Sequence, residues 1–331
     1  MKKILSLFIA IVLTKIAFSQ GKILIRGNTG TSAVTRIVVF PAIKDCLKGA
    51  EPIDQIDVDS TGNFQKAITI DKPALIFLTL GGGAETFVTP GDTIDVYEKR
   101  SGYGATAFNG TLKPGRDVQV NINGTRPENA FFSLLEARTT KLDRLPFYND
   151  DVLPLFEKCG LTKKLFDERI AFYNYFLVKY SGVSEEFKLV ANGEIRGAYF
   201  QHLFYLSRYT ADSLPKIYLE DVESERFTWK EVNSSGRMLN AARDYFSYHP
   251  DTVRGENYLG KEPANKFNLI VNKVNDIQLR DYLLTDLMAF LLKRAPGNYR
   301  ELFEAYKKTC TNKAYVESVD SAYSTKVVHA R

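Results

Sequence analysis

The hydrophobic period of the chain changes once, near residue 125, and that change limits what it can fold into. Before it, apolar and polar residues alternate in short runs; from Pro127 onward apolar residues recur three and four apart. A period of two belongs to a strand with one buried face, and a period near 3.6 to an amphipathic helix. No single element satisfies both, so the sequence specifies an α+β, multidomain chain. We expect an antiparallel β-sandwich over 20–125 and an all-α helical domain over 126–331.

The strand half is most explicit between Ile53 and Tyr97. Ile53-Asp54-Gln55-Ile56-Asp57-Val58-Asp59 alternates, and Ser60-Thr61-Gly62-Asn63 supplies the hairpin turn with Gly at the positive-φ position. Thr89-Pro90-Gly91-Asp92 is a second tight turn, with Pro fixing φ and Gly in the left-handed site. The expected arrangement is a β-meander. Further strands are expected at Lys22–Arg26, Thr35–Phe40, Ala107–Asn109 and Val118–Ile122, with a long loop over Lys99–Thr106. Gly81-Gly82-Gly83 leads into another strand pattern, Ala84–Val88. A phosphate cradle would lead into a helix, so these glycines read as a turn.

In the helical half, Pro127 opens a helix carrying Ala130, Phe131, Leu134 and Leu135. A short helix over Val152–Cys159 should stop at Gly160, with Thr162 capping the next. Ser184 and Asp276 are expected caps of two more, and Asn298–Thr309 and Lys313–Thr325 form the last two.

Met1-Lys2-Lys3, the apolar run Ile4–Val12 and small residues at Ala17-Phe18-Ser19 compose a secretory signal peptide over 1–19, with cleavage before Gln20. The apolar run is shorter than the ~20 residues a membrane span needs, and no later stretch is long and apolar enough. Removing Lys2, Lys3 and Lys15 lowers the formal net charge from +5 to +2. No Lys/Arg stripe remains, which argues against a nucleic-acid partner.

The residues that could carry chemistry mostly have structural readings. Cys46, Cys159 and Cys310 form no C-x-x-C pair and have no metal-ligand spacing with His202, His249 or His329. An oxidising compartment permits one disulfide, and which two would pair is open. His202 falls on an apolar helix face beside Leu203 and Leu206, as a hydrogen-bonded core residue would. Asp150-Asp151 and Glu185-Glu186 stand at helix starts, where negative charge complements the helix dipole. The aromatics at 172–176, 199–200, 204–205, 209 and 245–248 recur at helical spacing and read as core. Trp229, the sole tryptophan, is a surface anchor or a lid on the core. No catalytic, cofactor-binding or metal-binding residue is assigned.

The order of parts resembles a known family. Val88-Thr89-Pro90-Gly91-Asp92-Thr93-Ile94 gives a V-x-P-G-D-x-I turn late in the strand half, and Gly124-Thr125-Arg126-Pro127-Glu128-Asn129 gives a G-x-x-x-x-N junction into helices. Paired helices follow around Asn275–Leu284 and Lys313–Thr325. This is similar to the N-terminal, non-catalytic region of periplasmic thioredoxin-like thiol-disulfide reductases, TlpA- or ResA-like proteins of Gram-negative bacteria. Family members continue into a thioredoxin domain with C-x-x-C, a pair this sequence lacks, and the sequence ends at Arg331 where the linker would begin. The resemblance therefore implies an exported, periplasmic, non-catalytic envelope module without a cofactor. Its implied partner is a separate thioredoxin-like protein or an envelope protein or glycan. The alternative is a truncated or split thiol-disulfide oxidoreductase. Five D-[S/T]-x tripeptides, at Asp59, Asp92, Asp212, Asp251 and Asp320, are similar to an O-glycosylation motif of some envelope proteins.

Overall fold

The structure, a computed structural model, describes residues 21–31, 33–43, 51–80, 83–100, 118–143, 153–210, 214–223, 227–248, 262–294 and 299–329. The leader, the strand at 107–109, Cys46, Gly81-Gly82, most of the loop after Arg100 and Asp150-Asp151 lie outside the described residues.

The strands are β1 (Lys22–Asn28), β2 (Arg36–Pro41), β3 (Asp54–Asp57), β4 (Asn63–Thr69), β5 (Ala74–Leu78), β6 (Ala84–Val88), β7 (Thr93–Arg100) and β8 (Val118–Gly124). They form two four-stranded sheets, ordered β4-β1-β7-β8 and β3-β2-β5-β6. One buried cluster draws on strands of both sheets, including Ile23 and Ile25 of β1, Val39 of β2, Ile76 of β5 and Val96 of β7. Alternate residues of each strand supply it, as the period of two requires.

Two expectations need correction. β1 and β7 run parallel, with Leu24 opposite Thr93 and Asn28 opposite Tyr97, so the first sheet is mixed. Parallel neighbours need a long connection, and the strands between β1 and β7 supply one. Nor is 53–97 a meander. β3 and β4 lie in different sheets, as do β4 and β5, and β6 and β7; within 53–97 only β5 and β6 pair directly. Alternation fixes which face of a strand is buried and leaves its partner open. The turn chemistry itself holds. Gly62 has φ 85° and Gly91 φ 95°, and Asp92 N donates to Thr89 O at 3.0 Å. These turns are corners between sheets. Gly27 is required by the parallel pairing, because a Cβ there would collide with Val96 O.

The described helices are α1 (Pro127–Asp143), α2 (Leu155–Lys179), α3 (Glu185–Thr210), α4 (Lys216–Glu223), α5 (Trp229–Val232), α6 (Gly236–Tyr248), α7 (Glu262–Lys273), α8 (Ile277–Arg294), α9 (Arg300–Thr309) and α10 (Lys313–His329). Among the described residues no helix is long and apolar enough to cross a membrane. Ser184 caps α3 as expected, its Oγ accepting from Phe187 N at 3.1 Å. Gly160 does not end a helix: α2 runs through it. An interior Gly costs a helix only about 1 kcal/mol relative to Ala, and buried neighbours at Cys159 and Leu165 outweigh that. Thr162 consequently lies mid-helix, and its hydroxyl donates to Lys158 O at 2.9 Å.

The chain divides into two compact units. The first comprises 1–42, 50–152 and 164–192, so it takes in helical segments well past the change of period; the second comprises 43–49, 153–163 and 193–331. Within the first unit, Phe131 of α1 meets Phe172 and Phe176 of α2 and Phe187 of α3, with centroids 5.6, 4.9 and 5.1 Å away. Phe187 in turn packs edge-on to Phe87 of β6 at 5.5 Å. The aromatics expected as core are mostly core: Phe172, Tyr173, Phe176, Tyr199, Phe200, Phe204, Tyr245 and Phe246 are buried, while Tyr175 and Tyr205 are exposed.

The two motifs behind the family resemblance meet in the first unit. Asp92 is 2 % exposed. Its Oδ2 accepts from Thr89 N and Asn129 Nδ2, both at 2.8 Å, and its Oδ1 accepts from Arg126 Nε at 3.0 Å and Thr125 Oγ1 at 3.2 Å. Asn129 Nδ2 also donates to Phe87 O at 2.8 Å, and Asn129 Oδ1 accepts from Arg126 N at 2.9 Å. A Cβ on Gly124 would collide with the Asn129 side chain, which accounts for the G-x-x-x-x-N spacing. Gly124→Ala should therefore cost about 1–3 kcal/mol, the usual penalty of overpacking. Urea denaturation followed by circular dichroism reads this, and an unchanged midpoint would show that Asn129 can step aside.

Candidate functional site

The site lies in the second unit, where three helix starts converge. Thr228 caps α5: its hydroxyl accepts from Glu231 N at 3.4 Å and donates to Glu231 Oε2 at 3.0 Å. Asp276 caps α8 as the sequence predicts, its Oδ1 accepting from Leu279 N at 3.1 Å. Its other oxygen accepts from Trp229 N at 2.8 Å. One carboxylate thus fixes two helix starts and sets Trp229 beside the first turn of α8.

The third start is that of α10. Asn312 caps it, with Oδ1 accepting from Tyr315 N at 3.3 Å. The connector from α9 is tied down by Asp281 of α8, whose Oδ2 accepts from Thr311 N, Thr311 Oγ1 and Asn312 N at 2.9, 2.6 and 2.9 Å. Between these elements is a cavity of about 290 Å³ lined by Trp229, Ile277, Gln278, Asp281, Thr311, Asn312 and Tyr315.

Asp281 is 2 % exposed, and its Oδ1 accepts no hydrogen bond. The nearest cation, Arg280 Nε, lies 4.0 Å away, beyond hydrogen-bond reach, and is itself without an acceptor. Trp229 has Tyr282 at 5.4 Å between centroids, inclined 45°. Arg243 holds Tyr282 in place, donating to its hydroxyl at 2.8 Å and to Asp286 at 2.7 Å. The walls therefore offer two aromatic side chains, Trp229 and Tyr315, and two side-chain amides, Gln278 and Asn312. These groups bind and orient a ligand.

Most residues weighed from sequence lie elsewhere. Glu185 and Glu186 occupy the first turn of α3, as expected. His202 is half-buried on α3. Cys159 and Cys310 are both buried free thiols. Burial pushes the Cys159 thiol up to about 11 and raises that of Cys310. Burial, with Asp221 next in weight, also raises the Tyr199 phenol, which donates to Asp221 at 3.1 Å. Among the described residues no group of three or more His, Cys, Asp or Glu could hold a metal. Trp229 was flagged by its rarity. Asp281 was missed, though a signal existed: it shares a helical stripe with Leu284, Thr285 and Met288, all fully buried. A carboxylate in such a stripe needs a dedicated partner.

No protein-family model, curated protein or solved structure matches the chain.

Raised thiol values mean little thiolate near neutral pH. Iodoacetamide at pH 8 should leave Cys159 and Cys310 of the native protein unmodified and alkylate both once urea is added, as peptide mass spectrometry would report. Rapid native labelling of Cys159 would contradict its burial.

Proposed function

We propose that this chain is an exported, non-catalytic envelope module whose ligand seat is the Trp229 cavity. In this reading the two sheets face one another as a β-sandwich, the later helices form an all-helical part, and the whole is akin to the N-terminal region of thioredoxin-like disulfide reductases. The cavity carries the proposal, because two aromatic side chains and two amides in one concave wall are binding groups. The motifs shared with that region, at Asp92 and Asn129, hydrogen-bond to each other, which suits an architectural role. Thiols raised by burial are poor redox nucleophiles, so in the split-reductase alternative the redox dithiol would come from a separate thioredoxin domain and not from Cys159 or Cys310.

Expression of the full gene in a Gram-negative host should yield periplasmic protein beginning at Gln20. That protein should not accelerate the reduction of insulin disulfides by dithiothreitol, either alone or beyond the rate of an added thioredoxin domain. Retention of Met1 in the cytoplasm would remove the export reading. Accelerated reduction would replace the binding module with the reductase.

A further inference from the structure

We propose that the Trp229 cavity is a carbohydrate site that takes one pyranose ring of a neutral glycan; this rests on the binding-module reading. Size is the first constraint. At about 290 Å³ the cavity falls at the bottom of the range for small-molecule sites and admits a single ring.

Shape is the second constraint. Tyr282 packs against Trp229 but is not a wall of the cavity, so the indole offers the ligand an aromatic surface backed by protein. A pyranose ring has an apolar face of C–H bonds whose hydrogens are slightly positive, and an indole face is negative. Tyr315 adds a second aromatic side chain to the wall.

Hydrogen bonding is the third. The Gln278 and Asn312 amides each combine donor and acceptor, as does each sugar hydroxyl. Asn312 Oδ1 is engaged in capping α10, which leaves its N–H groups to the ligand. Gln278 is exposed at the rim.

Charge is the last. Asp281 Oδ2 is filled by three donors, while Oδ1 has none. The Arg280 guanidinium at 4.0 Å offsets the carboxylate charge without bonding to it. Asp281 Oδ1 is sealed from solvent, so Asp281 serves the site by fixing the Thr311-Asn312 connector in its wall. Among the described residues the walls contain no Lys or Arg, and the Trp229, Leu279, Asn312 and Tyr315 N–H groups at the helix starts already donate to Asp276, Asp281 and Asn312, which leaves little for an anion.

The single tryptophan makes the test direct, since all indole emission comes from the cavity wall. The full mature protein would be titrated with methyl glucoside, methyl mannoside, methyl galactoside and N-acetylglucosamine, and separately with adenosine and tetramethylammonium. At least one sugar should shift Trp229 emission saturably, with a Kd on the order of 1 mM, a weak affinity suited to one ring. Gln278→Ala should weaken that sugar about tenfold, the loss of a good hydrogen bond, with unchanged circular dichroism and melting temperature. Trp229→Leu, followed by calorimetry, should abolish it. No saturable response to any of the sugars overturns the carbohydrate proposal, as does a sugar response unaffected by Gln278→Ala and Trp229→Leu. Saturation by adenosine or tetramethylammonium alone overturns the ligand class and leaves the binding module standing. The module itself is judged separately by insulin reduction, so the two failures are told apart.

Discussion

Asp92 is a carboxylate withdrawn from water, and such a group is costly unless its lone pairs are met. Here they are met from three sources: the Thr89 backbone in its own turn, the Thr125-Arg126 segment that leaves β8, and Asn129 in the first turn of α1. Asn129 then reaches back to Phe87 O in β6. One side chain thereby fixes the corner between the sheets, the exit from the last strand and the entry of the first helix. With α1 so placed, Phe131 can sit among Phe172, Phe176 and Phe187, and the sheet unit acquires its helical cover.

The second unit repeats the device with a different outcome. Glu194 accepts from Ser235 Oγ and Arg237 N on one oxygen and pairs with Arg237 Nε on the other. Asp276 likewise uses both oxygens, on α8 and on Trp229 N. Asp281 uses only one. Fully satisfied carboxylates act as fasteners for helix starts and connectors. The one left half-satisfied is Asp281, which lines the cavity, and its unpartnered oxygen is sealed from solvent.

Much of this was legible from residue order, and the losses have physical causes. Turn residues were read correctly at Gly62 and Gly91, because positive φ selects glycine locally. Caps were read correctly at Ser184 and Asp276, because a cap satisfies backbone groups within its own turn. Strand partners were not legible. The parallel pairing of β1 with β7 depends on contacts between residues far apart in sequence, and alternation is silent about them. Gly160 misled because a small local penalty was set against packing that only the folded chain supplies. The helices α4 to α7 were passed over, although Ser235, whose Oγ accepts from Met238 N at 3.0 Å, is a cap that could have announced α6. At the site, Trp229 drew notice by rarity alone, while Asp281 was concealed in a run that looks like ordinary helix.

Asp92 and Asn129, 37 residues apart in the chain, either act as one fastener or hold the turn and the helix start independently. A double-mutant cycle of Asp92→Ala and Asn129→Ala, read as free energies of urea unfolding of the first unit by circular dichroism, measures this directly. The structure predicts strong non-additivity, with a coupling of about 1–3 kcal/mol, as for residues sharing one buried network. Additive losses within about 0.5 kcal/mol would mean that the turn and the helix start are held independently, and would contradict the fastener.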